Sequence, residues 1–208
     1  MALQFESRVY RLRGTTAILG SAPASRDIRT QYIISKAPES EREEEELANS
    51  YDSDEKGVTV FNRDRQDHLC LMSHHIKGFF KEALTSLKAQ CQVANIGKKV
   101  DTLISVGPKY IPIKRGGLPL YEEDEMLERP LRAETMRGPR VALQSSEMIN
   151  PEWSIEFELT LFPSDGTAKS KALTWDAIET ALEYGAFHGL GQWRGADYGH
   201  FTFEQIAD

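Results

Sequence analysis

The chain of 208 residues is 40% hydrophobic and 27% charged, an ordinary composition for a globular protein with a buried core. No apolar stretch approaches the roughly 20 residues that a membrane-spanning helix needs, and the first residues lack the basic and then apolar order of a secretory signal. These properties exclude a wholly disordered chain and predict a cytoplasmic protein with no membrane partner. The length suits a single domain, or two small halves fused closely together.

The two cysteines, Cys70 and Cys91, stand far apart in the sequence, with no Cys-x-x-Cys pattern and no histidine at zinc-ligand spacing. A disulfide framework and a zinc site are therefore unsupported, and reduced thiols are the simplest interpretation. The carboxylates and histidines form no convincing metal cluster either. We expect no metal and no cofactor.

The net charge of −7 at pH 7 is unevenly distributed along the chain. Residues 39–55 hold nine acids and one arginine, and residues 121–128 hold five acids, so the rest of the chain carries +6. Blocks of like charge usually form solvated surface. The acidity of the whole chain therefore does not exclude a nucleic-acid partner.

The N-terminal part predicts strands around an acidic insertion. Alternating apolar and basic residues predict a strand over Val9–Thr16, and a weaker pattern predicts a second strand near 29–34. The acidic stretch 39–56 has little apolar content, so we interpret it as an exposed, partly disordered loop within the domain.

The strongest predicted helix starts at Ser73, whose side chain suits an N-cap. Lys77 and Lys81 lie away from its apolar stripe, and Gly78 costs about 1 kcal/mol relative to alanine inside a helix, which indicates that another group packs closely there. The stripe consists of apolar residues at three- and four-residue spacings, namely Ile76, Phe79, Phe80, Ala83, Leu84 and Leu87.

Strands and one more helix are predicted for the remainder. Thr174 is predicted to cap a second helix, which ends where Gly185 adopts a left-handed conformation, and Tyr198–Phe203 is predicted as the final strand. Four further strands are predicted over 100–106, 110–113, 138–145 and 153–162. This order predicts an α+β fold with helices on one face of an antiparallel sheet.

A glycine-rich loop follows the second predicted helix, with five glycines in the fifteen residues 185–199. Glycines let backbone N–H groups approach a phosphate, and a neighbouring arginine adds a charge-assisted contact. A purely structural turn is the alternative. The candidate binding residues of this loop are Gly189, Gly191, Arg194, Gly195 and Gly199.

The start of the first predicted helix is a second candidate for anion binding. Its N–H groups and helix dipole attract negative charge, and lysines stand within its first turns. The alternative is a capped amphipathic helix with lysines in water. The candidate residues are Ser73, Lys77, Gly78 and Lys81.

A third candidate holds four arginines in the twelve residues 129–140. Arginine is the favoured residue for recognising phosphates and bases. A solvated loop that balances the acids of 121–128 is the alternative. The candidates are Arg129, Arg132, Arg137 and Arg140.

Three separated motifs together resemble the RAMP superfamily of CRISPR-associated RNA-binding proteins. Tyr10–Ser21 resembles its first strand and turn, Leu71–Ala83 resembles its lysine-glycine helix start, and Gly189–Phe201 resembles its C-terminal glycine-rich signature. The sequence departs from the family where His74 and His75 replace small residues before the lysine.

The resemblance implies a single ferredoxin-like or RRM-like domain over 1–208, closest to the backbone subunits that hold a CRISPR guide RNA. It implies that the partner is single-stranded RNA, with phosphates near Lys77 and near the loop 189–199. It also implies assembly with other subunits of a ribonucleoprotein, or with copies of the same chain. A stand-alone or virus-encoded relative fits the same resemblance.

Two other functions stay open at this point. His74 and His75 could cleave RNA without a metal, with Lys77 stabilising the developing charge, or an acid among Asp52, Asp54 and Glu55 could act in the loop. Alternatively, the acidic stretch could make the chain an interaction protein or an inhibitor that imitates a CRISPR subunit. The RNA-binding hypothesis predicts that the lysine-bearing helix start and the glycine-rich loop converge into a cationic groove.

Overall fold

The computed structural model describes residues 5–24, 58–135, 138–163 and 171–206, with the backbone alone over 131–143. The strand predicted near 29–34 and the acidic stretch 39–56 lie outside the described residues. No helix in the described ranges is long and apolar enough to cross a membrane.

The described elements comprise four α-helices and fourteen strands, several of them only two residues long. The helices are α1 (Ser73–Ser86), α2 (Lys88–Cys91), α3 (Ile96–Leu103) and α4 (Trp175–His188). The strands are β1 (Glu6–Gly14), β2 (Ile18–Leu19), β3 (Ala22–Pro23), β4 (Val58–Val60), β5 (Asn62–Arg63), β6 (Leu69–Met72), β7 (Ile104–Gly107), β8 (Tyr110–Pro112), β9 (Lys114–Arg115), β10 (Leu118–Pro119), β11 (Glu125–Thr135), β12 (Gly138–Ile149), β13 (Ser154–Leu161) and β14 (Phe201–Ile206).

The main sheet has the connectivity of a ferredoxin-like fold. Its central strands lie in the order β14–β1–β13–β7, and every pairing among them is antiparallel. Along the chain these strands and the two long helices run β1, α1, β7, β13, α4, β14, which is the β-α-β-β-α-β order. The predicted fold class, α+β with a ferredoxin-like antiparallel sheet, is confirmed.

Alternation along β1 and β13 separates a buried face from an open face. Tyr10 and Leu12 pair with Phe157 and Ile155, and all four side chains are buried in the core beneath α1 and α4. Burial of such side chains contributes about 1.5–3 kcal/mol each, which is why the period-2 pattern predicts these strands well. The Tyr10 hydroxyl donates to Glu179 of α4 at 3.1 Å, so one polar group ties the sheet to the helix.

The open face of the main sheet is covered by ion pairs. Arg11 bonds both Glu156 and Glu204, at 2.7 and 2.8 Å, and Lys114 bonds Glu156 at 2.8 Å. The bonds from Lys114 and Arg11 hold the pKa of Glu156 below its usual range, and the bonds from Arg13 and Arg11 do the same for Glu204. The outward positions of β1, β13 and β14 carry no aromatic residue. The aromatic platform with which RRM-type sheets stack bases is therefore missing from these strands.

Three boundaries differ from the sequence-based predictions. Ser73 is the first helical residue and not the cap, because Met72 still has the extended backbone of β6, with φ −90° and ψ 146°. Residues 100–103 are the end of α3 and not a strand, because Ile96 and Val100 lie one helical turn apart and are both buried. Strand β7 therefore begins only at Ile104.

Gly185 is also placed differently from the prediction. Helix α4 continues to His188, and Gly189 ends it with φ 64°. Gly185 lies inside the helix, where a Cβ atom would overlap the ring of Phe201 in β14. The glycine is required for close packing of helix on strand and not for a left-handed turn. The predicted cap is confirmed, since the Thr174 hydroxyl accepts from Ala177 N–H at 3.4 Å.

A second sheet and a third, smaller sheet build the surroundings of the glycine-rich loop. The hairpin β11–β12 continues into β4, which runs parallel to β12, and then into β3. In the third sheet, β6, the strand that directly precedes α1 in the chain, pairs with β5 and β8. These strands place the start of α1 opposite the loop after α4.

Candidate nucleic-acid interface

The helix start and the glycine-rich loop line the same groove, which has a volume of about 900 Å³. The α1 wall of the groove consists of His74, His75, Gly78, Phe79 and Glu82, and the loop wall consists of Leu190, Gly191 and Arg194. The remaining lining comes from β3, β4 and β5, and from Tyr110 of β8. Two segments more than a hundred residues apart in sequence thus meet at one concave surface.

Two glycines allow the two ends of the loop to approach each other closely. A Cβ atom on Gly189 would overlap the carbonyl of Tyr198, and one on Gly199 would overlap the backbone of Leu190. The Leu190 N–H donates to the Gly199 carbonyl at 2.8 Å, which joins the two limbs of the loop. At Gly189 and Gly199, the structure favours the alternative of a structural turn.

The other two candidate glycines are accessible. Gly191 lines the groove with φ 91°, a conformation that disfavours any residue with a side chain. Gly195 is exposed, and a Cβ atom there would meet nothing within 4 Å. These glycines leave the loop backbone open to a ligand next to Arg194.

Gly78 lies in the middle of α1 and faces the groove. It is exposed, and a Cβ atom at this position would meet nothing within 4 Å. Packing among the residues that the structure describes therefore gives no reason for a residue that costs about 1 kcal/mol in a helix. What the glycine does provide is extra depth in the groove.

The lysines of α1 point away from the centre of the groove. At about 100° per residue, Lys77 lies on the side of the helix opposite to Phe79, and neither Lys77 nor Lys81 lines the groove. Lys81 pairs with Asp101 of α3 at 2.6 Å. Lys77 has no ion-pair partner among the described residues. Ser73 stands at the helix start, where its N–H donates to the Lys109 carbonyl at 2.9 Å.

Two arginines and one carboxylate supply the charge that lines the described part of the groove. Arg194 pairs with Glu82 across it at 2.5 Å. Arg63 donates to the Tyr121 carbonyl at 2.5 Å and lies 4.0 Å from the buried carboxylate of Glu147. The lining is therefore weakly cationic, and each arginine already has an acceptor that a phosphate would replace or share.

The two histidines lie side by side in the groove, with ring centroids 4.4 Å apart. Burial, and to a smaller extent the charge of His74, lowers the pKa of His75 to about 4. Nδ1 of His75 accepts from the Met72 N–H at 3.4 Å, which leaves Nε2 as the protonated nitrogen. A neutral His75 is a poor general acid near neutral pH.

The arginine-rich segment lies on the hairpin β11–β12. Arg129 is buried, and its guanidinium stacks 4.3 Å from the ring centre of Trp193 in the glycine-rich loop. Arg137 and the side chains of Arg132 and Arg140 lie outside the described residues, as do the acidic candidates Asp52, Asp54 and Glu55. Within the described ranges, no group of three metal-ligating side chains occurs.

Sequence reasoning missed several residues of the groove. Glu82, Tyr110 and Arg63 line it, and no motif marks them. The alternation of residues 58–63 suits a short strand and is the signal that would have placed Arg63 beside the groove. Glu82 is visible in the sequence one turn after Gly78, but its pairing with Arg194 depends on the tertiary fold.

No protein-family model matches the sequence, and no curated protein matches it either. Among solved structures, a chain from the cryo-EM structure of the Type III-B Cmr-beta bound to cognate target RNA is similar at 10% sequence identity and a TM-score of 0.48. The match covers 98% of this chain and 61% of that chain, so the protein spans about three fifths of its neighbour's length. Membership of the RAMP superfamily stays a prediction from the sequence motifs.

Proposed function

We propose that this protein binds single-stranded RNA in the groove between α1 and the glycine-rich loop, as a subunit of a ribonucleoprotein of the kind found in CRISPR effector complexes. Gly78 carries the proposal, because it is a helical glycine that faces the groove, where a Cβ atom would meet no described residue. A helical glycine that costs stability, at a place where no described side chain uses the space, favours a ligand that approaches α1 closely.

The chemistry of the groove suits a polynucleotide strand. Arg63 and Arg194 are placed for phosphates, and the exposed ring of Tyr110 and the imidazole of His74 offer flat surfaces for bases. Single strands present unstacked bases to such surfaces, whereas paired RNA hides them. The ion-paired open face of the sheet offers no such surface, which favours the groove as the binding site.

The histidines of the groove favour RNA binding without cleavage. Acid–base cleavage needs groups that exchange protons near neutral pH, and the pKa of His75 is about 4. Incubation of labelled RNA with the protein in the absence of metal should leave the RNA intact. Cleavage that disappears when His74 and His75 are changed to alanine would establish the nuclease function instead.

The Gly78→Ala variant separates a binding role from a structural one. The methyl group meets no atom of the described residues, so the free energy of unfolding should rise by about 0.5–1 kcal/mol. The same methyl group narrows the groove, so affinity for single-stranded RNA should fall several-fold. Urea denaturation and fluorescence anisotropy with a labelled oligonucleotide measure the two quantities.

Gly97→Ala is the matched control for this experiment. Gly97 is also helical and exposed, a Cβ atom there also meets nothing within 4 Å, and it does not line the groove. We expect this variant to gain stability and to bind RNA like the wild type. Equal RNA affinity of the wild type and both variants, or no RNA binding by the wild type at all, would contradict the proposal.

A further inference from the structure

Arg129 is a buried cation that pairs with no anion among the described residues. The residue is 4% exposed, and no carboxylate of the described residues pairs with it. Nη2 donates to the Gln144 side chain at 3.3 Å, but Nε and Nη1 are buried with no hydrogen-bond partner. A guanidinium normally finds partners for all its donors when it is removed from water.

This arrangement is unfavourable for the protein alone. Burial lowers the pKa of Arg129, which shows that the charged form is poorly solvated where it lies. Stacking on Trp193 offsets only part of that cost, because a cation–π contact is weaker than the loss of water from a charge. The two unpartnered nitrogens therefore need an acceptor that the described part of the protein does not supply.

A second Arg–Trp stack in the same protein shows the ordinary solution. Arg8 also lies 4.3 Å from a tryptophan ring centre, that of Trp175. Its Nε donates to Glu6 and its Nη1 donates to Glu179, both at 2.9 Å. In the described part of the chain, the same stacking geometry thus occurs at Arg8 with two carboxylates and at Arg129 with no described carboxylate.

The position of Arg129 connects it to the groove. Trp193 directly precedes Arg194, which lines the groove, and Gln192 on its other side accepts from Thr59 of the groove wall at 3.0 Å. Trp193 is 41% exposed and lies parallel to Tyr198, with ring centroids 5.4 Å apart. A strand that leaves the groove past Arg194 therefore meets the exposed ring of Trp193, which lies against the unpartnered guanidinium and stacks on Tyr198.

We propose that Arg129 and Trp193 form a subsite for one nucleotide of the bound strand, in which a phosphate oxygen accepts from Nε and Nη1 of Arg129 and the base stacks at Trp193. This inference rests on the proposed function. Since both nitrogens are covered, the phosphate reaches them only when the Trp193 ring shifts. Binding at the subsite therefore changes the surroundings of Trp193.

The Arg129→Met variant tests the subsite, with Arg8→Met as the matched control. Methionine fills much of the same volume and removes the unpaired charge, so Arg129→Met should unfold at the same or a higher urea concentration than the wild type. Its affinity for an oligonucleotide of about eight nucleotides should fall at least tenfold. Arg8→Met breaks two ion pairs, so it should unfold more easily and keep its RNA affinity.

Tryptophan fluorescence tests the subsite without RNA. Adenosine 5′-monophosphate should change the emission of the wild type, and this change should disappear in Arg129→Met and in Trp193→Phe. Trp153 is fully buried, so the nucleotide should not contact it or change its emission. If the wild type bound no RNA but responded to the nucleotide, the proposed function would fail and the subsite would stand. If Arg129→Met bound RNA like the wild type, or if the nucleotide left Trp193 unchanged, the subsite would be wrong.

Discussion

The pairing of Arg194 with Glu82 neutralises one of the two arginine charges that line the groove in the absence of a ligand. Both side chains are partly solvated, 30% and 49% exposed, so the pair contributes only about 0–1 kcal/mol to folding. The same carboxylate repels any phosphate that approaches Arg194. Its removal should therefore affect binding far more than stability.

We expect the Glu82→Gln variant to bind single-stranded RNA several-fold more tightly than the wild type. The amide keeps a hydrogen-bond acceptor for Arg194 but removes the negative charge from the groove lining. Arg194→Ala should act in the opposite direction, with a salt dependence of log K that is shallower by about 0.7. Anisotropy titrations over a range of salt concentrations measure both effects. Weaker binding by Glu82→Gln would show that the carboxylate contacts the ligand favourably.

His75 should make stability depend on pH. Its pKa is about 4 in the folded protein, compared with an ordinary value of 6.5. As the pH falls, the unfolded chain therefore binds the His75 proton before the folded protein does. The contribution of neutral His75 to stability is fully present above pH 6.5 and is lost as the pH falls toward 4. His75→Asn keeps an acceptor for the Met72 N–H but cannot titrate, so its urea midpoint should fall less over this range. Equal slopes for both proteins would contradict the buried, neutral state of His75.

At the scale of elements, the contact between α4 and β14 depends on one small residue. Gly185 faces the ring of Phe201 so closely that any Cβ atom overlaps it. Gly185→Ala should therefore lower the free energy of unfolding by about 1–3 kcal/mol, as overpacking does in other cores. Gly195→Ala is the control, because a Cβ atom there meets nothing within 4 Å and the backbone φ is not left-handed. Urea denaturation of both variants measures the difference.

Elements with a strong local pattern were predictable from the sequence. The alternation of residues 153–162 predicts β13, and the apolar stripe after Ser73 predicts α1, because burial of one face dominates both. Residues 100–103 were assigned wrongly, since a short apolar run fits a strand as well as the end of a helix. The sequence-based interpretation of Gly185 as a helix end is wrong, because the need for a glycine there comes from the Phe201 ring, which is close in space and distant in sequence.

The groove was predictable in its location but not in its charge. Family-like motifs at 71–83 and 189–201 place both walls, and the structure brings them together. The sequence does not show that Lys77 and Lys81 point away, that Glu82 neutralises Arg194, or that Arg129 is buried. Each of these depends on which side chains the fold brings together, and local periodicity carries no such information.

At the scale of the whole molecule, removing the acidic block of the chain distinguishes an RNA-binding protein from an interaction protein. Changing the nine acids of 39–55 to their amides shifts the net charge from −7 to +2 without changing the length. If RNA is the ligand, this variant should associate faster and bind more tightly at low salt, because the general repulsion of phosphates is removed. The gain should shrink at high salt, where screening shortens the range of the field. If the acids instead imitate nucleic acid for a protein partner, the same variant should lose that partner, and its RNA affinity should rise only by the small non-specific amount that a higher net charge brings at low salt.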